Sequence, residues 1–509
     1  MPTEPNRPVT PAPPASPLAT VLFYALALAF CVVFLLVNRL TCLSTLPWTD
    51  EVMQVDPGVN LWLGHGWTST AWQSQSGHEF WAANNPLFSL LIYLWLGLAG
   101  FSEVATRSFN YVFVLVLALL VADTAWRAGW VRSRAAEALI ALLIVADGAV
   151  TYVYRFGRAD LATLFVVALL ARAFALGGSA TRRRALLFLA GTGLLAVGLQ
   201  SIPYVVLLFV LARIAGGRWS VAELGAVGAG CVTGGLLLAG LFAAHHVLPA
   251  FIAQTFASGY NIVGAALQAA VFRDRAAVGR FTDVLYALMP WEVLRVIARD
   301  RGSALLIGFA LAAFALLKAP AARRAAGLCV VAGILVPYGM LAAGRYPVYY
   351  AWMGAVPVAV LFVRLLEQLY LAPARGWFRA GCVAALVAFS VGLPLALWHE
   401  TTRTPPDRYA RLAAAFADTA RPTDVIYGDP VLYYLAKRAG HPFYSVTYAG
   451  GRGYRTMAEA ERSAITLALV TRPQVEETRA KLGGEWLEAG PALDVPGVEP
   501  LVVLRRPGH

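Results

Sequence analysis

The feature that most constrains this chain is a series of long apolar blocks, the first running from Ala19 to Val37. A helix needs roughly 20 residues to cross a bilayer, and this block supplies them. No small-residue cleavage site follows it, so it reads as a retained span and not as a removed signal. Only 14% of the side chains are charged and 59% are hydrophobic, whereas a soluble domain carries roughly 25% charged residues. The blocks recur near 104–125, 135–153, 160–177, 185–201, 203–215, 221–245, 303–317, 326–343, 350–366 and 380–397. With the first, taken as 19–39, they predict an α-helical polytopic membrane protein of about eleven spans.

The positions of the arginines test that count. Lys and Arg collect in cytoplasmic connections, so they should appear in every second one. They do so at Arg127, Arg132 and Arg134, then at Arg182 to Arg184, Arg213 and Arg218, Lys318 with Arg323 and Arg324, and Arg364, Arg375 and Arg379. This alternation places the N-terminus in the cytoplasm and the region after the last span outside, which for a bacterial inner membrane is the periplasm. The net charge of +12 is therefore topological, and with no continuous basic face it implies no nucleic-acid partner. Cys31, Cys42, Cys231, Cys329 and Cys382 form no CxxC pair and imply neither a disulfide framework nor a thiolate metal site.

Three regions divide the chain. Residues 1–18, rich in Pro, Thr and Ala, read as a disordered cytoplasmic tail. Residues 19–398 form the transmembrane region, with a first outer loop at 40–103 that carries interfacial helices. Pro86 to Phe101 is too short for a crossing and holds Tyr93 and Trp95, so it is expected to lie in the interface, and Phe281 to Ile297 is read the same way. Residues 399–509 read as a small periplasmic α/β domain. Strands are expected at Asp424–Tyr427, Phe443–Thr447, Ile465–Thr471 and Pro500–Leu504, and helices at Asp407–Thr419, Val431–Ala439 and Gln474–Leu482.

The chemistry-bearing residues gather on the outer face. Asp50 and Glu51 stand where the first span gives way to its loop, and two adjacent carboxylates there must be solvated, paired or used. They read either as a water-facing loop end or as a general base with its neighbour. Asp56 follows closely and could share that role. Arg155, Arg158 and Asp160 fall in the next outer connection, where few arginines are expected. Arg155 and Arg158 serve either to snorkel and pair with Asp160 or to grip a phosphate through their paired donors. Arg345 adds an outer cation, beside Tyr349 of an ordinary aromatic belt. Trp48, with Trp62, Trp67, Trp72 and Trp81, suits either the belt or stacking on a sugar ring. His65 with His78, and His245 with His246, match no metal-binding spacing. Asp147, inside a span, is a functional candidate by its position alone.

Taken together, Trp48-Thr49-Asp50-Glu51, the following Asn60-Leu61-Trp62-Leu63-Gly64, Asn85-Pro86-Leu87, Gly100-Phe101-Ser102-Glu103 with Arg107, and Arg158-Ala159-Asp160 resemble the GT-C class of membrane glycosyltransferases. The nearest resemblance is to the protein O-mannosyltransferase and aminoarabinose transferase superfamily. It covers about the first two hundred residues by motif and the rest by architecture, and Asn85 stands where that family usually has a proline.

The resemblance implies a GT-C fold and an inverting transfer of a sugar from a polyprenyl-phosphate donor to an acceptor hydroxyl of a lipid, glycan or protein. It makes Asp50 the catalytic base, Glu51 its partner on the acceptor and Asp160 the second acidic residue of the catalytic site. Arg155, Arg158 and Arg345 become contacts to the donor phosphate, with Asp56, Trp48, His65 and Tyr349 as weaker acceptor or sugar contacts. The resemblance implies no definite cofactor and leaves room for a divalent metal, on which related enzymes differ. The competing classes are a transporter or lipid flippase, for which Asp147 argues, and a polysaccharide polymerase or ligase, for which Arg273, Arg275 and His245 argue.

Overall fold

The computed structural model describes residues 17–71, 75–82, 86–176, 178–217, 219–257, 301–342, 352–371, 376–448, 457–495 and 497–508. The expected tail up to residue 16, the expected helix at 281–297, Trp72, Asn85, Arg218, Arg273, Arg275, Arg345, Tyr349 and Arg375 lie outside the described residues.

The chain is a multi-pass helical protein with a small sheet near its C-terminal end. Its first helices are α1 (Pro17–Leu40), α2 (Thr49–Trp62), α3 (Pro86–Ala99), α4 (Glu103–Arg127), α5 (Arg134–Ala146), α6 (Gly148–Arg155) and α7 (Asp160–Leu176). There follow α8 (Ala180–Leu194), α9 (Ser201–Ile214), α10 (Val221–Ala244) and α11 (Leu248–Ala257). Beyond residue 300 come α12 (Arg301–Leu316), α13 (Pro320–Ala342), α14 (Trp352–Leu371), α15 (Gly376–Ser390) and α16 (Gly392–Arg403).

Among the described residues five helices are long and apolar enough to cross a membrane, six if the bent pair α5 and α6 is one span. Several others coincide with expected blocks but are shorter, such as α9 with 14 residues and α8 with 15. The outward faces of α1 and α10 expose Val21, Leu22, Leu28, Leu36, Val232, Leu236 and Leu237. An apolar exterior of this kind is stable against hydrocarbon and not against water.

Local sequence explains where the helices begin and how closely they pack. Ser102, Ser133 and Ser220 cap α4, α5 and α10 through their hydroxyls, the last in a capping box with Glu223. Asp147 sits at the 59° bend between α5 and α6, where its carboxylate accepts the Val150 amide at 2.9 Å. Helices α8 and α10 meet at small residues: a Cβ added to Gly230 or Gly234 would fall 2.2 Å from the carbonyl oxygen of Phe188 or Thr192. Close backbone approach of this type is how helices associate where no hydrophobic effect drives them.

The C-terminal sheet follows α17 (Arg408–Thr419). It holds β1 (Ile426–Gly428), β2 (Phe443–Ser445), β3 (Leu467–Thr471), β4 (Leu487–Glu488) and β5 (Leu501–Arg505), in the order β2-β1-β3-β5-β4. β1 pairs parallel with β2 and β3, while β5 runs antiparallel to β3 and β4. Helices α18 (Tyr433–Arg438), α19 (Glu459–Ala464) and α20 (Val475–Leu482) complete it.

The edge strand β2 is covered from a distance. The Ser445 amide donates to the Thr70 carbonyl at 3.1 Å, the Thr70 hydroxyl donates to the Phe443 carbonyl, and the Thr447 hydroxyl donates to the Ala71 carbonyl at 3.0 Å. The segment after α2 thus lies along the open edge of the sheet, occupying donors and acceptors that would otherwise recruit another strand.

Candidate functional site

Two helices begin at the site, each with an aspartate in its first turn. Asp50 lies in the first turn of α2 and Asp160 opens α7, where the partial positive charge of a helix N-terminus favours a carboxylate. Between them stands Arg158, whose Nη1 donates to Asp50 Oδ2 at 2.6 Å and whose Nε donates to Asp160 Oδ2 at 2.5 Å. The Arg158 and Asp160 side chains are 6% and 5% exposed, whereas Asp50 keeps 37% of its side chain open. A buried Arg–Asp pair therefore backs one accessible carboxylate. Trp48 borders it, with the Arg158 guanidinium 5.5 Å from its ring and its indole N–H donating to the Phe156 carbonyl at 3.2 Å.

Glu51 is placed differently from its neighbour. It is fully buried, and Arg107 of α4 grips it with two parallel bonds, Nε to Oε1 at 2.8 Å and Nη2 to Oε2 at 2.7 Å. The remaining Arg107 donors reach the Thr45 and Cys42 carbonyls, and Tyr434 Oη adds a bond to Glu51 Oε1 at 3.0 Å. Gly157 (φ +63°) packs against it so closely that a Cβ there would meet Glu51 Cγ at 2.9 Å. The acceptor-side role expected of Glu51 is corrected: both its oxygens are committed and no face of it is open.

Arg155 and Asp56 are corrected for the same reason. Arg155, 1% exposed, bonds Asn38 Oδ1 at 2.9 Å, Thr41 Oγ1 at 3.0 Å and the Glu400 carboxylate. It is a clamp joining α6 to the end of α1 and to α16, with its donors spent on the protein instead of a phosphate. Asp56, fully buried, accepts from Ser69 Oγ at 2.9 Å, the Thr70 amide at 2.8 Å and Tyr433 Oη at 2.8 Å, with Lys437 Nζ at 3.4 Å. Lys437 also donates to Asn60 Oδ1 at 2.6 Å.

One face of α18 is thereby fastened along α2 through Glu51, Asp56 and Asn60. Burial pushes the Tyr433 and Tyr434 hydroxyls well above the ordinary phenol range, and the Asp56 and Glu51 charges push them further. Both stay protonated and remain donors.

The other sequence candidates separate. His65 is exposed near the end of α2, and partial burial together with the Lys437 charge lowers its pKa, so it is neutral near pH 7. His245 lies flat on Phe80, ring centroids 3.8 Å apart. Asp147 is the helix cap already described. Sequence reasoning passed over Glu400, Tyr433, Tyr434 and Lys437; the one signal was Glu400, a lone carboxylate at the end of the last apolar block.

A divalent ion does not fit this arrangement. Among the described residues no three His, Cys, Asp or Glu side chains converge. The gap between Asp50 and Asp160 is filled by a guanidinium, whose charge opposes a hard cation that would want six or more oxygen ligands.

No family model matches the chain, and no curated protein matches it. Among solved structures the chain is similar to ArnT from Cupriavidus metallidurans in the apo state, at 15% identity and a TM-score of 0.49, over 96% of this chain and 98% of that one. It is also similar to the arabinofuranosyltransferase AftD from Mycobacteria, at 15% identity and a TM-score of 0.42, over 94% of this chain and 41% of that one.

Proposed function

We propose that this chain is a membrane glycosyltransferase that moves a sugar from a polyprenyl-phosphate donor to an acceptor hydroxyl on the periplasmic face of the bacterial inner membrane. The observation that carries the reading is the open Asp50 carboxylate held by a buried Arg158–Asp160 pair. Asp50 takes the proton of the acceptor hydroxyl as its oxygen attacks the anomeric carbon. The bond from that carbon to the phosphate oxygen breaks, and the lipid phosphate leaves with the electron pair. One displacement inverts the anomeric centre.

Arg158 fixes the direction of Asp50 and keeps positive charge beside the reacting atoms. Of the cations expected to meet the donor phosphate, Arg345 keeps that role in this reading, since Arg155 is bound to Glu400 and Arg158 is held by Asp50 and Asp160. No step passes through a metal. The bent pair α5 and α6 is the feature that favours a transporter, because broken helices with charge at the break line transport sites. The Asp147 carboxylate at that break caps α6, which accounts for its position without a transported ion.

The test is Asp50→Asn in purified protein given a lipid-linked sugar and acceptor. Transfer should fall by at least about a hundredfold, the usual scale of a lost general base, with thermal stability unchanged. Retained transfer would remove Asp50 from the mechanism.

A further inference from the structure

A second site lies at the other end of the same helices. Helices α4, α7, α9 and α14 enclose a cavity of about 490 Å³ lined by aliphatic and aromatic side chains, among them Leu164, Ala168, Leu208, Phe209 and Leu361. It runs along α7 from Leu164 to Ala175 and ends at Trp130, Ala215 and Gly217, a length of roughly 16 Å at about 1.5 Å rise per residue. Along α4 the step from Arg107, beside the acidic site, to Thr124, in the cavity wall, is roughly 25 Å. That is close to the ~30 Å thickness of a hydrocarbon core, so the cavity opens at the opposite interface.

The closed end is apolar and the mouth is basic. Arg364 stacks on Trp130 with its guanidinium 5.0 Å from the ring, and Arg324 Nη2 donates to the Ala215 carbonyl at 2.8 Å. Trp130 and Ala215 both line the cavity. Arg132 and Arg324 lie within electrostatic reach of Arg364.

Of the nearby carboxylates, Glu367 also lies within electrostatic reach of Arg364, but its oxygens are held by backbone amides. Glu367 accepts the Arg132 and Ser133 amides at 2.9 to 3.0 Å, and Asp123 is paired with Arg127 and Arg172. Among the described residues neither Arg324 nor Arg364 forms an ion pair. Trp126, under Arg134 at 3.5 Å, and Trp219, against Phe209, mark headgroup depth at this level.

We propose that this cavity holds one acyl chain of an anionic glycerophospholipid, whose phosphate is gripped by Arg324 and Arg364. An apolar slot of acyl-chain length, with guanidinium groups at its mouth that form no ion pair among the described residues, complements a lipid phosphate and its tail. Basic pockets between membrane helices on the cytoplasmic side bind anionic headgroups in this way, and arginine suits phosphate through its planar donors. The site shares no residue with the Asp50 group and does not depend on the transfer reaction.

The full chain in detergent, stripped of lipid, is titrated with phosphatidylglycerol, phosphatidylcholine or a polyprenyl phosphate, with native mass spectrometry counting bound lipid and thermal unfolding read alongside. Phosphatidylglycerol should bind in preference to phosphatidylcholine and raise the melting temperature, while polyprenyl phosphate held at the Asp50 group should be unaffected by Ala168→Phe. Arg324→Gln and Arg364→Gln should each cut its preference over phosphatidylcholine by roughly fivefold, the effect of about 1 kcal/mol per arginine. Ala168→Phe, which fills the slot and leaves the arginines in place, should reduce retention of both diacyl lipids. Equal binding of the two diacyl lipids to wild type, loss of polyprenyl phosphate binding in Ala168→Phe, or an undiminished preference in a folded double arginine variant would each overturn the proposal. If the arginine variants do not fold, the wild-type preference and Ala168→Phe decide it.

Discussion

Tyr434 donates its hydroxyl to Glu51 at 3.0 Å, on the carboxylate oxygen that also receives Arg107 Nε. The residue beside the candidate base is thus one of the points at which the C-terminal unit is pinned to α2. Asp50 and Glu51 should respond oppositely to the same change. Glu51→Gln takes from buried Arg107 the carboxylate it holds by two bonds and leaves it only Glu103 at 3.1 Å; breaking a buried pair costs about 3–5 kcal/mol. Thermal unfolding of the purified protein should show a large loss for Glu51→Gln and none for Asp50→Asn. Tyr434→Phe should fall between, at about 1.5–3 kcal/mol for a bond to a charged group.

Arg158 serves two carboxylates, one of them buried, so its removal should affect more than transfer. Arg158→Gln strands the Asp160 charge and is expected to lower stability by about 3–5 kcal/mol. The double change Arg158→Gln with Asp160→Asn should recover most of that loss without recovering transfer. Calorimetry and a transfer assay on the same preparations separate the two effects. Full recovery of transfer in the double variant would argue that Arg158 has no part in the reaction.

Gly157 occupies a left-handed conformation against Glu51. Gly157→Ala adds strain of about 1–2 kcal/mol from backbone conformation, together with a contact the locked Glu51 cannot relieve. The expected outcome is a lower melting temperature than that of Gly97→Ala, a position where an added Cβ meets nothing within 4 Å.

Burial raises the Asp429 carboxyl above its ordinary value, opposed by the Val431 amide and reinforced by Glu499. A carboxyl whose folded pKa lies above its unfolded one contributes stability at low pH, and this is lost as pH rises through the folded pKa. Asp429→Asn keeps the cap on Val431, now 3.0 Å from Oδ1, and removes that loss. The variant should be at least as stable as wild type at pH 7, with its advantage shrinking as pH falls through the raised folded pKa and gone below about 4, the ordinary aspartate value. Unfolding measured across that range checks the sign.

Much of this was readable from residues alone, and the boundary is physical. The apolar blocks, the outer acidic pair and the Arg158–Asp160 partner depend on local pattern. Four of the five strands coincide with β-branched or aromatic runs, while Leu487–Glu488 is too short to leave one. What local pattern could not separate was Asp50 from Glu51. Successive helical residues point about 100° apart, so adjacent carboxylates face different surroundings, and those are set by Arg107 and Tyr434, distant in sequence. Arg155 and Asp56 misled for the same reason, since Glu400 and Tyr433 come from far along the chain.

The fastening of α18 to α2 also sets a schedule for biosynthesis. Asp56 and Glu51 emerge from the ribosome 377 and 383 residues ahead of Tyr433 and Tyr434. At about 5–20 residues per second that is an interval on the order of 20–80 s, during which the Thr70 segment has no strand to lie along. Arg107 arrives early and can hold Glu51 through the wait, whereas Asp56 must wait for both Tyr433 and Lys437. The nascent protein therefore spends most of its synthesis with Asp50, Arg158 and Asp160 in hand and no α18 to fasten along α2, and truncated chains ending before α18 should be the ones cleared by membrane quality control.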